Sequence, residues 1–127
     1  MVDPGPYNPI VMEHFTQPRN KGEMENPDAV GEATNPVCGD TMRLFIKVEG
    51  DSIADATFLT FGCGAAIAAS SITTEMIKGK TVQDALMISD EDVVEALGGL
   101  PPGKVHCSIL AEKAIKAAIS DYLKRIK

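Results

Sequence analysis

The chain has 127 residues, 44% hydrophobic and 24% charged, with 18 Asp+Glu against 12 Lys+Arg and a net charge of −6. That length and balance suit one domain around a single core, expected over residues 1–127, with no need of disulfide support. They exclude a general nucleic-acid binder, which would be basic, and a bilayer-spanning chain, since no apolar run approaches the roughly 18–20 residues a crossing takes.

Three cysteines are an odd count, which argues against a fully disulfide-bonded secreted module. The opening MVDPGPYNP has neither the basic start nor the apolar stretch of a signal peptide. A cytoplasmic location with free thiols is the expectation. Charge is uneven: residues 106–127 hold five Lys/Arg against two Asp/Glu, so that segment is +3 on a −9 remainder. A basic final helix can dock an acidic partner, or its cations can simply favour the helix C-terminus.

In chain order, Asn8 and Pro9 read as a helix cap and first residue, followed by a short amphipathic helix with Ile10, Val11 and Phe15 on its apolar face, Met12 and His14 as further candidates for it, and Pro18 as its end. Residues 19–29, with Asn20, Gly22, Asn26 and Pro27, read as loop. Three strands follow, over 30–34, 41–49 and 52–61. The second alternates Met42, Leu44, Ile46 and Val48 with Arg43, Phe45, Lys47 and Glu49, the period of a half-buried strand. Gly50-Asp51 is a tight-turn signal, so strands two and three form a hairpin. After Gly64 small and apolar residues recur at helical spacing up to Gly79, which marks a buried helix close to the sheet. Two short helices over 81–87 and 89–97 precede a final helix over about 108–125. The expected class is α+β, a small three-stranded antiparallel sheet packed against several helices.

Cys38, Cys63 and Cys107 carry the chemistry, with Asp40 two residues after the first and His106 directly before the third. Thiolates suit zinc, copper(I) or iron, and a carboxylate or imidazole completes a four-ligand set. The six methionines are scattered, which disfavours copper. The hairpin predicts that Cys38 and Cys63 are neighbours. Each residue has a plainer reading as well. Cys63, between Gly62 and Gly64, is either a thiolate at a helix N-terminus or a small buried apolar residue. Asp40 alone reads first as a turn residue, and His106 and Cys107 as a cap-region residue and a buried contact. Consecutive helical residues point about 100° apart, so His106 and Cys107 are expected to take turns at one ion rather than bind it together. The spacing C-x24-C-x43-C is weak evidence by itself. His14 is expected to be structural. There is no Ser–His–Asp set, P-loop or dinucleotide fingerprint.

Four blocks carry more: Tyr7 with HFTQPRNKG, then NPVCGD, then FGCGAAIAASS followed by TEMIKGK, then LPPGKVHCSILAEKAIKAAISDY. In this order, over nearly the whole chain, they resemble the IscU-type iron–sulfur cluster assembly scaffolds, including the N-terminal part of NifU. The resemblance implies a SufE/NifU-like fold with a cluster site at one end. It implies that Cys38, Cys63 and Cys107 hold a nascent 2Fe-2S cluster, with Asp40 and His106 as alternative fourth ligands and zinc able to occupy the same site. It further implies a cysteine desulfurase of IscS/NifS type as sulfur donor, with Cys107 as first persulfide acceptor and Lys104 steering. Recipient apo-proteins take the cluster, a homodimer could shield it, and the chain is not an enzyme. Two departures stand out. The chaperone-recognition loop of the family reads Leu-Pro-Pro-Val-Lys where this chain has Leu100-Pro101-Pro102-Gly103-Lys104, which weakens the case for an Hsp70-type chaperone. The insertion that marks the zinc-binding SufU relatives is missing. The rival readings are a zinc-bound, SufU-like sulfur-transfer protein and a structural zinc domain.

Overall fold

The computed structural model describes residues 8–35, 39–100 and 106–125. Its elements are α1 (Pro9–Thr16), β1 (Ala29–Thr34), β2 (Thr41–Glu49), β3 (Ser52–Phe61), α2 (Gly64–Ile77), α3 (Val82–Leu86), α4 (Asp90–Ala96) and α5 (His106–Arg125). The three strands form one antiparallel sheet in the order β1-β2-β3. The hairpin turns at Gly50, whose φ of +62° favours glycine, and a bulge sits between Lys47 and Val48.

The core lies between the inner face of the sheet and the pair α2 and α5. Met42, Leu44 and Ile46 of β2 and Ile53 and Phe58 of β3 are fully buried against Ala111, Ala114, Ile115 and Ala118 of α5 and the alanines of α2. Each large side chain so buried stabilises the fold by about 1.5–3 kcal/mol. The helix α2 is buried nearly all round, through Ala65, Ala66, Ala68, Ala69, Ser70, Ser71, Thr73 and Thr74. Small residues let it pass close to β3, and most of its hydroxyls find partners. Ser70 donates to Ala66 O at 2.8 Å and meets Thr60 Oγ1 at 2.6 Å, and Thr74 donates to Ser71 O at 2.7 Å. The helix α5 crosses β1 at Gly31, where a Cβ would lie 2.2 Å from Ala118 N and 2.7 Å from Ala114 O. Glycine is required there for close approach, not for its backbone angles.

Three features depart from the sequence reading. In α1 the buried residues are Val11 and His14, while Ile10 and Phe15 stay 44% and 40% exposed. That face meets α2, where His14 Nδ1 lies 2.8 Å from Ser71 Oγ, which also accepts the Arg19 N–H. His14 is structural, as expected. The segment between α1 and β1 is a covering layer. It pairs with the outer edge of β3 through Asn20 O and Gly22 N–H on Phe58, and reaches β2 through the Asp28 N–H on Ile46 O. Lys47 Nζ holds Asn26 O on the way. This path crosses the outer face, so Phe45, which points there, is buried. Finally, α5 begins two residues early, at His106.

The sheet edges are occupied. Besides the Phe58 bonds, β3 pairs with the chain after α2 through Ile53 N–H to Lys80 O and Gly79 N–H to Ile53 O. On the opposite edge the Val30 N–H is taken by Asp121 Oδ2 of α5.

Candidate metal centre

One end of the sheet gathers the candidate ligands. Thr41 pairs with Phe61, so Asp40, just before β2, and Cys63, two residues after β3, emerge side by side. The Asp40 backbone is fixed by the Asn35 N–H on its carbonyl at 2.8 Å, and Gly39 beside it adopts φ +76°, which favours glycine. Asp40 is buried, at 7% exposure. Cys63 is the N-cap residue of α2, and its side chain makes no capping bond, which leaves Sγ for the site. Across from both, α5 begins with His106 and Cys107, the latter 1% exposed.

The distances are short. Cys63 Sγ lies 3.6 Å from Cys107 Sγ, and the Cys63 thiol donates to Asp40 Oδ2 at 3.8 Å. His106 Nε2 is 4.0 Å from Asp40 Oδ2. Donor atoms of Asp40, His106 and Cys107 all lie within 4.8 Å of one another. Tetrahedral ligands at zinc bond lengths of about 2.0–2.3 Å stand roughly 3.3–3.8 Å apart, so Asp40, His106 and Cys107 need only a modest contraction to share an ion, and Cys63 stands beside two of the three. The His106 imidazole and the Cys107 thiol thus lie beside the same carboxylate, although consecutive helical residues diverge by about 100°. A helical Cα–Cβ bond tilts toward the N-terminus. The imidazole can reach back while the thiol points in.

Two helix N-termini, of α2 and α5, converge on these groups and place partial positive charge against them. That favours the negative charge which thiolates, a carboxylate or sulfide bring. Two glycines make room. A Cβ at Gly62 would stand 2.7 Å from Asp40 Cγ, and one at Gly64 would stand 3.2 Å from the Phe15 ring. Neither has a positive φ, so both serve close approach. Phe61, 74% exposed at the rim, went unnoticed in the sequence because it ends a strand that alternates normally. Cys38, Lys104 and the rest of 101–105, as well as Tyr7, lie outside the described residues. Among the described residues no helix is long and apolar enough to cross a membrane.

The chain resembles known proteins over most of its length. Residues 6–127 match the family described as the NifU-like N terminal domain. The iron–sulfur cluster assembly scaffold protein IscU 1 of Archaeoglobus fulgidus is 54% identical over 119 residues, covering 94% of this chain and 78% of that protein. The IscU scaffold protein of Escherichia coli K12 is 51% identical over 120 residues, 91% of this chain and 93% of its own length. Among solved structures, a scaffold protein for the SUF system from Fervidobacterium islandicum superposes with a TM-score of 0.76 at 26% identity, covering 89% of this chain and 96% of that one. This chain belongs to the NifU-like N-terminal domain family.

Proposed function

We propose that the protein is a scaffold on which a 2Fe-2S cluster is built from iron and persulfide sulfur and then passed to apo-proteins. One observation carries this reading. Asp40, His106 and Cys107 bring donor atoms within 4.8 Å of one another, and the Cys63 thiol lies 3.6 Å from Cys107 Sγ and 3.8 Å from Asp40 Oδ2. Relatives more than 50% identical over most of the chain are named for cluster assembly scaffolding.

The donor set suits a cargo that must leave. Thiolates of Cys63, Cys107 and, by the family pattern, Cys38 hold iron firmly. Asp40 or His106 in the fourth position supplies a harder, more exchangeable corner than a fourth thiolate. The work is binding and handover rather than turnover. The sulfur donor is a cysteine desulfurase, and the recipients are apo-proteins. Cys107 is the proposed persulfide acceptor, which requires the first turn of α5 to open, because that thiol is buried while Cys63 is half-buried. Gly103 in place of valine argues against strong dependence on an Hsp70-type chaperone. A second subunit covering the site would shield the cluster. The same four donors fit zinc, and a zinc-bound sulfur-transfer role is the second reading. It has less support, since the SUF-system relative shares 26% identity against 54% for the IscU proteins.

The test is anaerobic incubation with iron, cysteine and a cysteine desulfurase, followed by visible spectroscopy and transfer to apo-ferredoxin. A coloured cluster that moves to the ferredoxin is expected. No cluster, or one that cannot be passed on, sinks the scaffold reading.

A further inference from the structure

One side chain ties the start of α1 to the end of α4. Asn8 caps α1 by accepting the Val11 N–H on Oδ1 at 3.0 Å, and its Nδ2 donates to Leu97 O at 2.9 Å and to Gly99 O at 3.1 Å. Serine, threonine or aspartate would cap the helix as well. Among these capping residues only asparagine adds two amide hydrogens on the other side of the same group. Both are used here, and the carbonyls they meet belong to the turn that closes α4, where a helix leaves its last carbonyls without partners. Leu97 is fully buried, and Gly98 and Gly99 follow with φ of +78° and +108° and their amides on Glu95 O and Val94 O. The fit is close. A Cβ at Gly98 would stand 3.2 Å from Asn8 Nδ2 and 3.3 Å from Ile10 Cδ1.

The helix α1 is itself fixed to α2. His14 Nδ1 meets Ser71 Oγ at 2.8 Å, and the Phe15 ring stands against Gly64, the residue after Cys63. One eight-residue helix, about 12 Å long, thus joins the helix headed by Cys63 to the turn from which the chain runs on, in sequence, to His106 and Cys107. We propose that Asn8 is a positioning residue for the metal centre. It fixes the start of the α4–α5 connection relative to α2, and through it the spacing of the Cys63 thiol from the donors of α5. A connection released at one end samples more positions. Every position in which the start of α5 misses the metal lowers the apparent affinity by the fraction of time it is occupied.

The inference rests on the metal-binding reading of the site, and zinc is the probe. The full-length parent, Asn8→Asp and Asn8→Ala are compared by competition with a chromophoric chelator. Asn8→Asp keeps the cap and loses both donors, whereas Asn8→Ala loses cap and donors together. Both should bind zinc on the order of threefold to tenfold more weakly than the parent. In both, amide hydrogen exchange at Gly98 and Gly99 should quicken. Melting of the metal-free proteins separates the fold from the site: Asn8→Asp should melt nearer to the parent than Asn8→Ala does. Asn8→Ser, which caps but carries no amide, replaces either variant should it fail to fold. Parent-like zinc affinity in Asn8→Asp would overturn the role, because the cap alone would then account for the residue. Weaker binding without faster exchange at Gly98 and Gly99 would overturn it too. A parent that binds no zinc would instead overturn the metal-centre reading, and the inference with it.

Discussion

Asp40 is fixed from several sides. Its carbonyl accepts the Asn35 N–H, its carboxylate accepts the Cys63 thiol, and the backbone at Gly62 stands against its Cγ. A methyl at position 62 must displace the carboxylate, so Gly62→Ala should weaken zinc binding by about tenfold, the usual cost of disturbing a ligand's support. Competition with a chromophoric chelator measures it, and unchanged affinity would mean that the carboxylate is not a ligand. Asp40→Ala should slow cluster release to apo-ferredoxin more than it slows assembly; equal release from mutant and parent would count against a labile corner at Asp40. That the outer ends of β2 and β3 meet was legible in the sequence, because a hairpin must bring them together; the expected pairing of Cys38 with Cys63 lies outside the described residues. The joint arrival of His106 and Cys107 was not, since it depends on where α5 starts, and helix starts are set by local capping that periodicity does not show. The role of Gly62 was hidden for another reason: it rests on where the Asp40 side chain comes to lie, which no periodicity shows.

At the scale of elements, the crossing of α5 over β1 depends on one missing side chain. Gly31→Ala would force the helix backbone away from the sheet and should cost about 1–3 kcal/mol in urea denaturation, the range for overpacking. Ser89 caps α4 in a reciprocal box, its hydroxyl on the Asp92 N–H and the Asp92 carboxylate on its own. Ser89→Ala should cost about 1 kcal/mol. The packing of α1 on α2 should depend on pH. Burial holds the His14 imidazole below the ordinary histidine range, and nearby Arg19 adds to this, while Glu75 and Glu13 partly oppose it. The folded state thus binds its proton less readily than the unfolded chain. The stabilising effect is full above about pH 6.5 and is lost on acidification from there. Denaturation midpoints between pH 5 and 7.5 should fall on the acid side for the parent and fall less for His14→Gln. Strand order, the hairpin and the buried α2 follow from periodicity and turn residues. The covering layer of residues 19–28 does not, because it is made of polar backbone contacts rather than an apolar pattern.

For the whole molecule, the site draws on residues 40, 63 and 106–107, stretches that only folding brings together. Whatever binds there binds the native state alone. Zinc at a hundredfold its dissociation constant should therefore stabilise the fold by about 2.7 kcal/mol, raising the melting temperature on the order of 10 °C, and a chelator should reverse the change. No shift on adding zinc would separate the site from the fold.

A scaffold spends part of its life empty, waiting among other proteins with its cargo gone. An open strand edge is a template on which idle chains polymerise. Here one edge is stitched to the chain before β1 and after α2, and the other is met by Asp121. The unloaded protein thus offers less of its sheet to its neighbours than two bare edges would.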